Sequence, residues 1–103
     1  MSYQLLRTDK FNDQLNDIIQ YIANDSGDVD TALNCLDEIE EAILRLRNFP
    51  ESGSNPRYSL LKKQGYRVLI VSRYLVFYKI DKTKSQVLIY AIVDGRREYL
   101  ALI

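Results

Sequence analysis

The sequence predicts an α+β domain with the element order β-α-α-β-β-β. The first half carries two segments in which apolar residues recur every three or four positions, as on one face of a helix. The second half carries three runs rich in β-branched and aromatic residues, separated by short turns. Since 103 residues suit one hydrophobic core, we expect a single domain over residues 1–103. A helical hairpin should pack on one face of an antiparallel sheet, with a short C-terminal tail.

A short strand and the first helix open the chain. Polar and apolar residues alternate weakly from Tyr3 to Arg7, which predicts a strand. Thr8 or Asp9 can cap the helix that follows. We predict this helix from Asp9 to Asn24, with one apolar stripe. The stripe consists of Phe11, Leu15, Ile18, Ile19 and Ile22.

The second helix follows a break at Asn24 to Asp28, where Gly27 and short polar side chains interrupt helical structure. Its outer side is acidic, and its inner side carries an apolar stripe. The stripe consists of Ala32, Cys35, Leu36, Ile39, Ala42, Ile43 and Leu46. We interpret Cys35, the only cysteine, as a small buried hydrophobe, because no histidine is present to activate its thiol.

Three strands are predicted after the turn-forming segment Phe49 to Pro56. They run from Tyr66 to Val71, Tyr74 to Ile80 and Val87 to Val93, and the short turns between them favour an antiparallel meander. Because these runs are almost continuously apolar, both faces of the sheet should be partly covered. The helical hairpin covers one face. Only Glu98 to Ile103 can reach the other, which is therefore a candidate binding surface.

Several kinds of site are excluded by composition. Histidine is absent, which removes Ser-His-Asp and Cys-His arrangements and the usual zinc sites. The four glycines are scattered and form no phosphate-binding loop. We therefore expect no cofactor and no metal, so carboxylates or basic groups must perform any chemistry. No secretory signal and no run of roughly 18 apolar residues is visible, and we expect a cytoplasmic protein.

The charge is balanced overall but unevenly distributed. Residues 1–50 hold 4 basic and 10 acidic residues, whereas residues 51–103 hold 10 basic and 4 acidic ones. One interpretation is a face that meets an anion, although the neutral total argues against strong non-specific binding to nucleic acid. The alternative is charge matching between the two halves within the molecule.

Two sets of side chains on the strands could carry function. Tyr74 and Tyr78 share one face of a strand and could stack bases, but tyrosine is common in strands and a core role is favoured. The basic set lies in or near the strands and suits phosphate binding, or binding of a target or antitoxin, although arginines at strand ends are usually solvated. It consists of Lys62, Lys63, Arg67, Arg73, Arg96 and Arg97.

The order of these segments resembles the RelE/ParE superfamily of toxins over almost the whole chain. The specific part is Tyr74-Leu-Val-Phe-Tyr78 together with Gly95-Arg-Arg-Glu-Tyr99, and Gly65-Tyr-Arg-Val-Leu-Ile also fits. The resemblance implies a microbial-ribonuclease-like α+β fold. It also implies a cognate antitoxin that wraps an extended or helical segment around the toxin.

Two activities occur in this superfamily. RelE-like members cut messenger RNA on the ribosome without a metal, and ParE-like members poison DNA gyrase. Arg97 matches an arginine of the ribonucleases at the end of the fourth strand, and Tyr99 matches their terminal tyrosine loosely. Leu75, however, stands where the ribonucleases place an arginine, and losing such a contact should cost about two to four orders of magnitude in rate.

Three hypotheses follow from the resemblance and from the positions, such as Leu75, at which this sequence differs from the family's ribonucleases. The favoured one is a ParE-like toxin that binds a protein target such as DNA gyrase and is neutralised by an antitoxin lying across the sheet and the helical hairpin. The second is a metal-independent endoribonuclease that acts on ribosome-bound messenger RNA through Arg97, Arg67, Arg73 and Tyr99. The third is a binding module without toxicity, and a homodimer remains open.

Overall fold

The predicted order of elements is confirmed, with one helix added. The computed structural model describes residues 2–103. It contains β1 (Gln4–Arg7), α1 (Asp9–Ser26), α2 (Val29–Leu44), a 3₁₀ turn (Arg45–Arg47), α3 (Ser59–Lys63), β2 (Arg67–Val71), β3 (Tyr74–Asp81), β4 (Gln86–Asp94) and a C-terminal 3₁₀ turn (Leu100–Leu102). The short helix α3 was not predicted.

The four strands form one sheet in the order β1-β4-β3-β2. The last three strands pair antiparallel, which confirms the meander, whereas β1 pairs parallel to β4. Ser72 and Ser85, in the two hairpin turns, have φ angles of 56° and 52°. Such left-handed backbone conformations let a short turn reverse the chain between strands.

The helices begin where their capping residues predict. The Thr8 hydroxyl accepts a hydrogen bond from the backbone N–H of Phe11 at 3.0 Å and so satisfies one free donor at the start of α1. Helix α1 runs two residues beyond its predicted end and stops at Gly27, whose φ is 65°. Asp28 then caps α2 by accepting from the N–H of Asp30.

The main core lies between the helical hairpin and one face of the sheet. It consists of Phe11, Leu15, Ile39, Ala42, Ile43, Leu46, Val71, Tyr74, Val76, Tyr78, Val87, Ile89 and Ile92. The predicted stripes of both helices point into it. Cys35 packs against this core and is partly buried, in line with its interpretation as a small hydrophobe. Burial and the negative charge of Glu38 raise the pKa of its thiol, and the positive charge of Arg73 opposes this shift only in part.

Tyr78 fixes the loop that follows the helices. Its ring is fully buried, and its hydroxyl donates to the carbonyl oxygen of Pro50 at 2.8 Å and accepts from the N–H of Gly53 at 3.0 Å. Gly53 lies so close that an added Cβ would collide with the Tyr78 hydroxyl and approach the Val68 carbonyl oxygen to 2.7 Å. Together with the burial of Tyr74, this confirms the core interpretation of the two tyrosines.

A β-bulge in β4 changes which residues face the helices. Phe77 pairs with Ala91 and Tyr78 pairs with Ile89, so Tyr90 is the extra residue. Helix α1 supplies the hydrogen bonds that the interrupted ladder leaves open. The Thr8 hydroxyl donates to the Tyr90 carbonyl oxygen at 2.8 Å, and Gln14 Oε1 accepts from the N–H of Ile92 at 3.0 Å.

The opposite face of the sheet is more covered than the sequence suggested. A second core lies there, and the tail reaches it as predicted, but α3 and Tyr58 before it also pack on this face. Its members are Leu61, Val68, Phe77, Val93 and Tyr99, with Tyr58, Tyr66, Leu75, Leu100 and Ile103 at its margin. Within residues 2–103, none of the helices has the length and apolarity needed to cross a membrane.

Candidate functional site

Three of the predicted basic residues meet in one groove, which we call the arginine groove. It is about 640 Å³ in volume and lies between α1 and the ends of the sheet strands. Its lining residues are Asp17, Ile18, Tyr21, Arg73, Tyr74, Asp94, Arg96 and Arg97. A neighbouring hollow of about 370 Å³ shares Tyr21, Arg73, Tyr74 and Arg96 with it, which lengthens the available surface along α1.

The backbone at the sheet end brings these arginines together. Arg73 lies in the turn between β2 and β3, and its carbonyl oxygen accepts from the N–H of Gly95 at 2.8 Å. A Cβ on Gly95 would lie 3.1 Å from Leu75 Cγ and 3.2 Å from the Arg73 carbonyl oxygen. Such contacts are tight, so the close approach favours glycine. Arg96 and Arg97 follow directly and are therefore held beside Arg73.

Asp94 is the only carboxylate of the arginine groove that contributes to an ion pair among the described residues. Its Oδ2 lies 3.3 Å from Arg96 Nη2 and 3.5 Å from Arg73 Nε, and its Oδ1 accepts from the Arg96 N–H at 2.9 Å. Burial acts to raise the pKa of Asp94. The hydrogen bonds from Arg96 and the charges of Arg96 and Arg73 outweigh burial, so the pKa is lowered.

The three arginines differ in the contacts that their guanidinium groups already make within the protein. The Arg73 guanidinium lies 5.1 Å from the centre of the Tyr74 ring, and its contact with Asp94 is an ion pair without hydrogen-bond geometry. Hydrogen bonding to Asp94 raises the pKa of Arg96. In the described part of the chain, the exposed Arg97 side chain has no ion pair and no hydrogen bond. Arg97 is therefore the groove's cation best placed for an external anion.

The wall formed by α1 adds apolar and aromatic surface. Tyr21 is 61% exposed, and Ile18 is only partly buried beside it. A groove with an apolar wall and a cationic rim suits an amphipathic segment that carries carboxylates, since guanidinium groups bind carboxylates through paired donors.

The remaining predicted site residues lie elsewhere. Arg67 Nη2 donates to the carbonyl oxygens of Glu51 and Gly53 at 2.8 and 2.6 Å and so ties down the loop after α2. Lys62 and Lys63 are exposed on α3. Tyr99 is 3% exposed and packs edge to face on Tyr58 in the second core. The predicted catalytic set is thus divided, with only Arg73 and Arg97 sharing a groove.

Four lining residues of the arginine groove were not among the predicted site residues. Asp17, Ile18 and Tyr21 come from α1, and Asp94 ends β4. Tyr21 was detectable, because it is a large aromatic residue outside the apolar stripe of its helix. Asp94 offered no comparable signal, since its neighbours become clear only when the turn at Arg73 meets the end of β4.

Among the described residues, no ion pair matches the charge of one half of the sequence with that of the other. The ion pairs found among residues 2–103 are Arg7 with Glu40, Lys82 with Glu51, and Arg73 and Arg96 with Asp94. Each joins residues of the same half of the sequence. Direct pairing between the halves therefore does not explain the uneven charge distribution.

A second, smaller polar feature lies on the opposite face of the sheet. Lys79 Nζ lies 4.4 Å from the ring centre of Tyr66 and 5.1 Å from that of Tyr90. The two rings are 5.4 Å apart and nearly perpendicular. The lysine is stabilised there by the electron-rich ring faces. This is the part of the predicted binding face that the tail and α3 leave partly open.

Comparison with known proteins identifies the family. A family model described as the ParE toxin of the type II toxin-antitoxin system, parDE, matches residues 5–99. The chain belongs to the ParE toxin family. This confirms the resemblance to the RelE/ParE superfamily and the hypothesis of a toxin component of a type II toxin-antitoxin module. A cognate antitoxin is accordingly its partner.

A solved structure supports the fold of this ParE-family chain. A chain of the chromosomal ParDE TA system from P. aeruginosa aligns with a TM-score of 0.73 at 18% identity, over 90% of this chain and 96% of that chain. At this identity the likeness bears on the fold alone. Among curated proteins, none matches the sequence significantly.

Proposed function

We propose that this ParE-family toxin arrests growth by binding an essential protein, DNA gyrase being the first to test, and that its antitoxin occupies the arginine groove. The observation that carries the proposal is the groove itself, in which an unpaired Arg97 borders an apolar wall of Ile18 and Tyr21. That arrangement suits recognition of a protein segment. Its cations border exposed apolar surface that a protein segment can cover.

The position of Leu75 supports binding over RNA cleavage. Leu75 stands where the ribonucleases of the superfamily place an arginine, and here it packs at the margin of the second core. Arg67 is held by two backbone carbonyl oxygens, and Tyr99 is buried. A phosphate held at Arg97 would thus have Arg73 and Arg96 beside it, which share Asp94, but neither Arg67 nor an arginine at position 75.

The antitoxin is proposed to lie along α1 with its apolar side on Tyr21 and Ile18 and a carboxylate on Arg97. Arg73 and Arg96 already share the Asp94 carboxylate, so their charge is partly satisfied. Arg97→Glu reverses the charge of the free cation and should weaken antitoxin binding by about a hundredfold, or ~2.7 kcal/mol. Lys84→Glu is the matched control, because Lys84 is exposed in the hairpin turn between β3 and β4.

The target is tested with the purified toxin. We expect inhibition of gyrase supercoiling, no cleavage of ribosome-bound messenger RNA, and release of the inhibition by the cognate antitoxin. Messenger RNA cleavage that disappears in Arg97→Ala would overturn the proposal in favour of the ribonuclease. Unchanged antitoxin affinity in Arg97→Glu would remove the groove from the proposal but leave the gyrase assay to decide the target.

A further inference from the structure

The Asp94 carboxylate occupies part of the arginine groove in the way that a carboxylate of a partner would. Its Oδ1 accepts from Arg96 Nε at 3.4 Å, and its Oδ2 accepts from Arg96 Nη2 at 3.3 Å. Such side-by-side pairing of two donors with two oxygens is the geometry by which arginine recognises carboxylates. One edge of the Arg96 guanidinium group is therefore already bound from within the chain.

The fold holds Asp94 in this position. Its Oδ1 also accepts from the Arg96 backbone N–H at 2.9 Å, which fixes the turn after β4. The Asp94 side chain is 16% exposed, whereas that of Arg96 is 65% exposed. The carboxylate thus lies deeper in the groove than the guanidinium group that it binds. A partner that reaches Arg96 from outside meets the negative charge directly behind it.

The same carboxylate also contacts Arg73. Arg73 Nε lies 3.5 Å from Asp94 Oδ2. The groove is lined by three arginines and by two aspartates, Asp94 and Asp17, so one positive charge is left over. In the described part of the chain, Arg97 is the groove arginine that has neither an ion pair nor a hydrogen bond, and we assign the remaining charge to it.

We propose that Asp94 limits the affinity of the arginine groove for the antitoxin, by occupying donors of Arg96 and Arg73 that a carboxylate of the antitoxin would otherwise bind. The inference rests on the proposed function, in which the antitoxin lies in this groove. With Asp94 in place, a single carboxylate at Arg97 neutralises the charge that is left. An additional carboxylate at Arg96 meets Asp94 at close range, and like charges brought together in an interface are costly.

Asp94→Asn tests this role while it preserves the turn. The asparagine Oδ1 can still accept from the Arg96 N–H, but the negative charge is gone. We expect this variant to bind the cognate antitoxin about tenfold more tightly than the wild type, since the donors of Arg96 and Arg73 become available and a repulsion is lost. Surface plasmon resonance of the full-length toxin on immobilised antitoxin measures the Kd.

Asp17→Asn is the matched comparison for the loss of charge alone. Asp17 lines the same groove from α1, is exposed and has no ion pair among the described residues. Its substitution removes the same charge without releasing an arginine, and exposed charges are strongly screened by water. It should therefore tighten antitoxin binding by no more than about threefold.

Two further substitutions of Asp94 separate its charge from its part in the turn. Asp94→Glu keeps a carboxylate and should not tighten binding. Asp94→Ser removes the charge and offers a hydroxyl to the Arg96 N–H, so it should tighten binding as Asp94→Asn does. A damaged turn would weaken binding in all three variants. Tighter binding confined to the two uncharged variants can therefore come only from the loss of the carboxylate.

The inference and the proposed function fail in different ways. If Arg97→Glu weakens antitoxin binding but neither uncharged Asp94 variant binds more tightly than Asp17→Asn, the groove remains the antitoxin site and the role of Asp94 is overturned. Tightening by Asp94→Glu would overturn that role as well. Unchanged affinity in Arg97→Glu would show that the antitoxin does not use the groove, and it would overturn the groove and the inference together.

Discussion

The hydroxyl of Tyr78 donates a hydrogen bond to the carbonyl oxygen of Pro50, 2.8 Å away, across 28 positions of sequence. The tyrosine ring belongs to the main core, whereas Pro50 belongs to the loop that carries the chain from the helices to the sheet. This contact therefore fixes the loop to the sheet through one buried polar group. A buried hydroxyl without a partner would be costly, and here it has two.

Tyr78→Phe should lower the free energy of unfolding by about 1–3 kcal/mol, because it leaves the N–H of Gly53 and the carbonyl of Pro50 without their partner. Urea denaturation measures the change. Tyr21→Phe is the control, since Tyr21 is largely exposed and its change should stay within about 0.5 kcal/mol. Equal effects of the two substitutions would contradict the role assigned to the Tyr78 hydroxyl.

Gly53→Ala should destabilise the protein by about 1–3 kcal/mol, because the new methyl group meets the Tyr78 hydroxyl and the Val68 carbonyl oxygen. The measurement is the midpoint of thermal unfolding, compared with that of Ser52→Ala. Ser52 is exposed in the same loop, so its substitution should change little. If Gly53→Ala is as stable as Ser52→Ala, the loop does not pack as closely as described.

Thr8→Ala should cost about 1–2 kcal/mol, because one hydroxyl both caps α1 and satisfies the Tyr90 carbonyl at the bulge. Thr8→Ser keeps the hydroxyl and should recover most of that stability. Chemical denaturation of both variants provides the comparison. A serine variant as unstable as the alanine variant would show that the threonine methyl group, rather than the hydroxyl, is responsible.

Asp94 should make the stability of the toxin depend on acid pH. Its pKa is lowered in the folded state, so its contribution is fully present above the unfolded value of about 3.9. The contribution is lost as the pH falls through the folded value. Asp94→Asn should therefore be less stable than the wild type at pH 6, and the gap should narrow by about pH 2.5.

The comparison for this pH dependence is Asp13→Asn, an exposed position on α1 without an ion pair among the described residues. Its unfolding free energy should follow that of the wild type at both pH values. A gap between Asp94→Asn and the wild type that stays constant from pH 6 to about pH 2.5 would count against the arginine contacts as its cause.

The helices and strands could be predicted because their signals are local. The apolar stripe of α1 and the capping by Thr8 depend on residues within a few positions of one another. Helix α3 was missed because five residues offer too short a window for periodicity. The bulge at Tyr90 was missed because it appears only when β3 and β4 are paired.

The arginine groove could be predicted only in part. The arginines were recognised by type and by their place near strand ends, but whether they meet depends on the turn at Arg73 and the close approach of Gly95. Arg67 shows the limit of this reasoning. Successive side chains of a strand point to opposite faces of the sheet, so Arg67 lies on the face opposite Val68 and reaches the loop after α2. The two carbonyl oxygens that it binds there lie 14 and 16 positions earlier in the sequence.

The parallel pairing of β1 with β4 delays completion of the sheet until β4 has been synthesised. Gln4 pairs with Gln86, so the first strand of the sheet has no partner until 82 further residues have been made. At about 5–20 residues per second, the nascent N-terminus waits roughly 4–16 s. A nascent chain that stops before β4 therefore leaves the edges of β1 and β3 without their partner strand, and it cannot form the four-stranded sheet of the toxin.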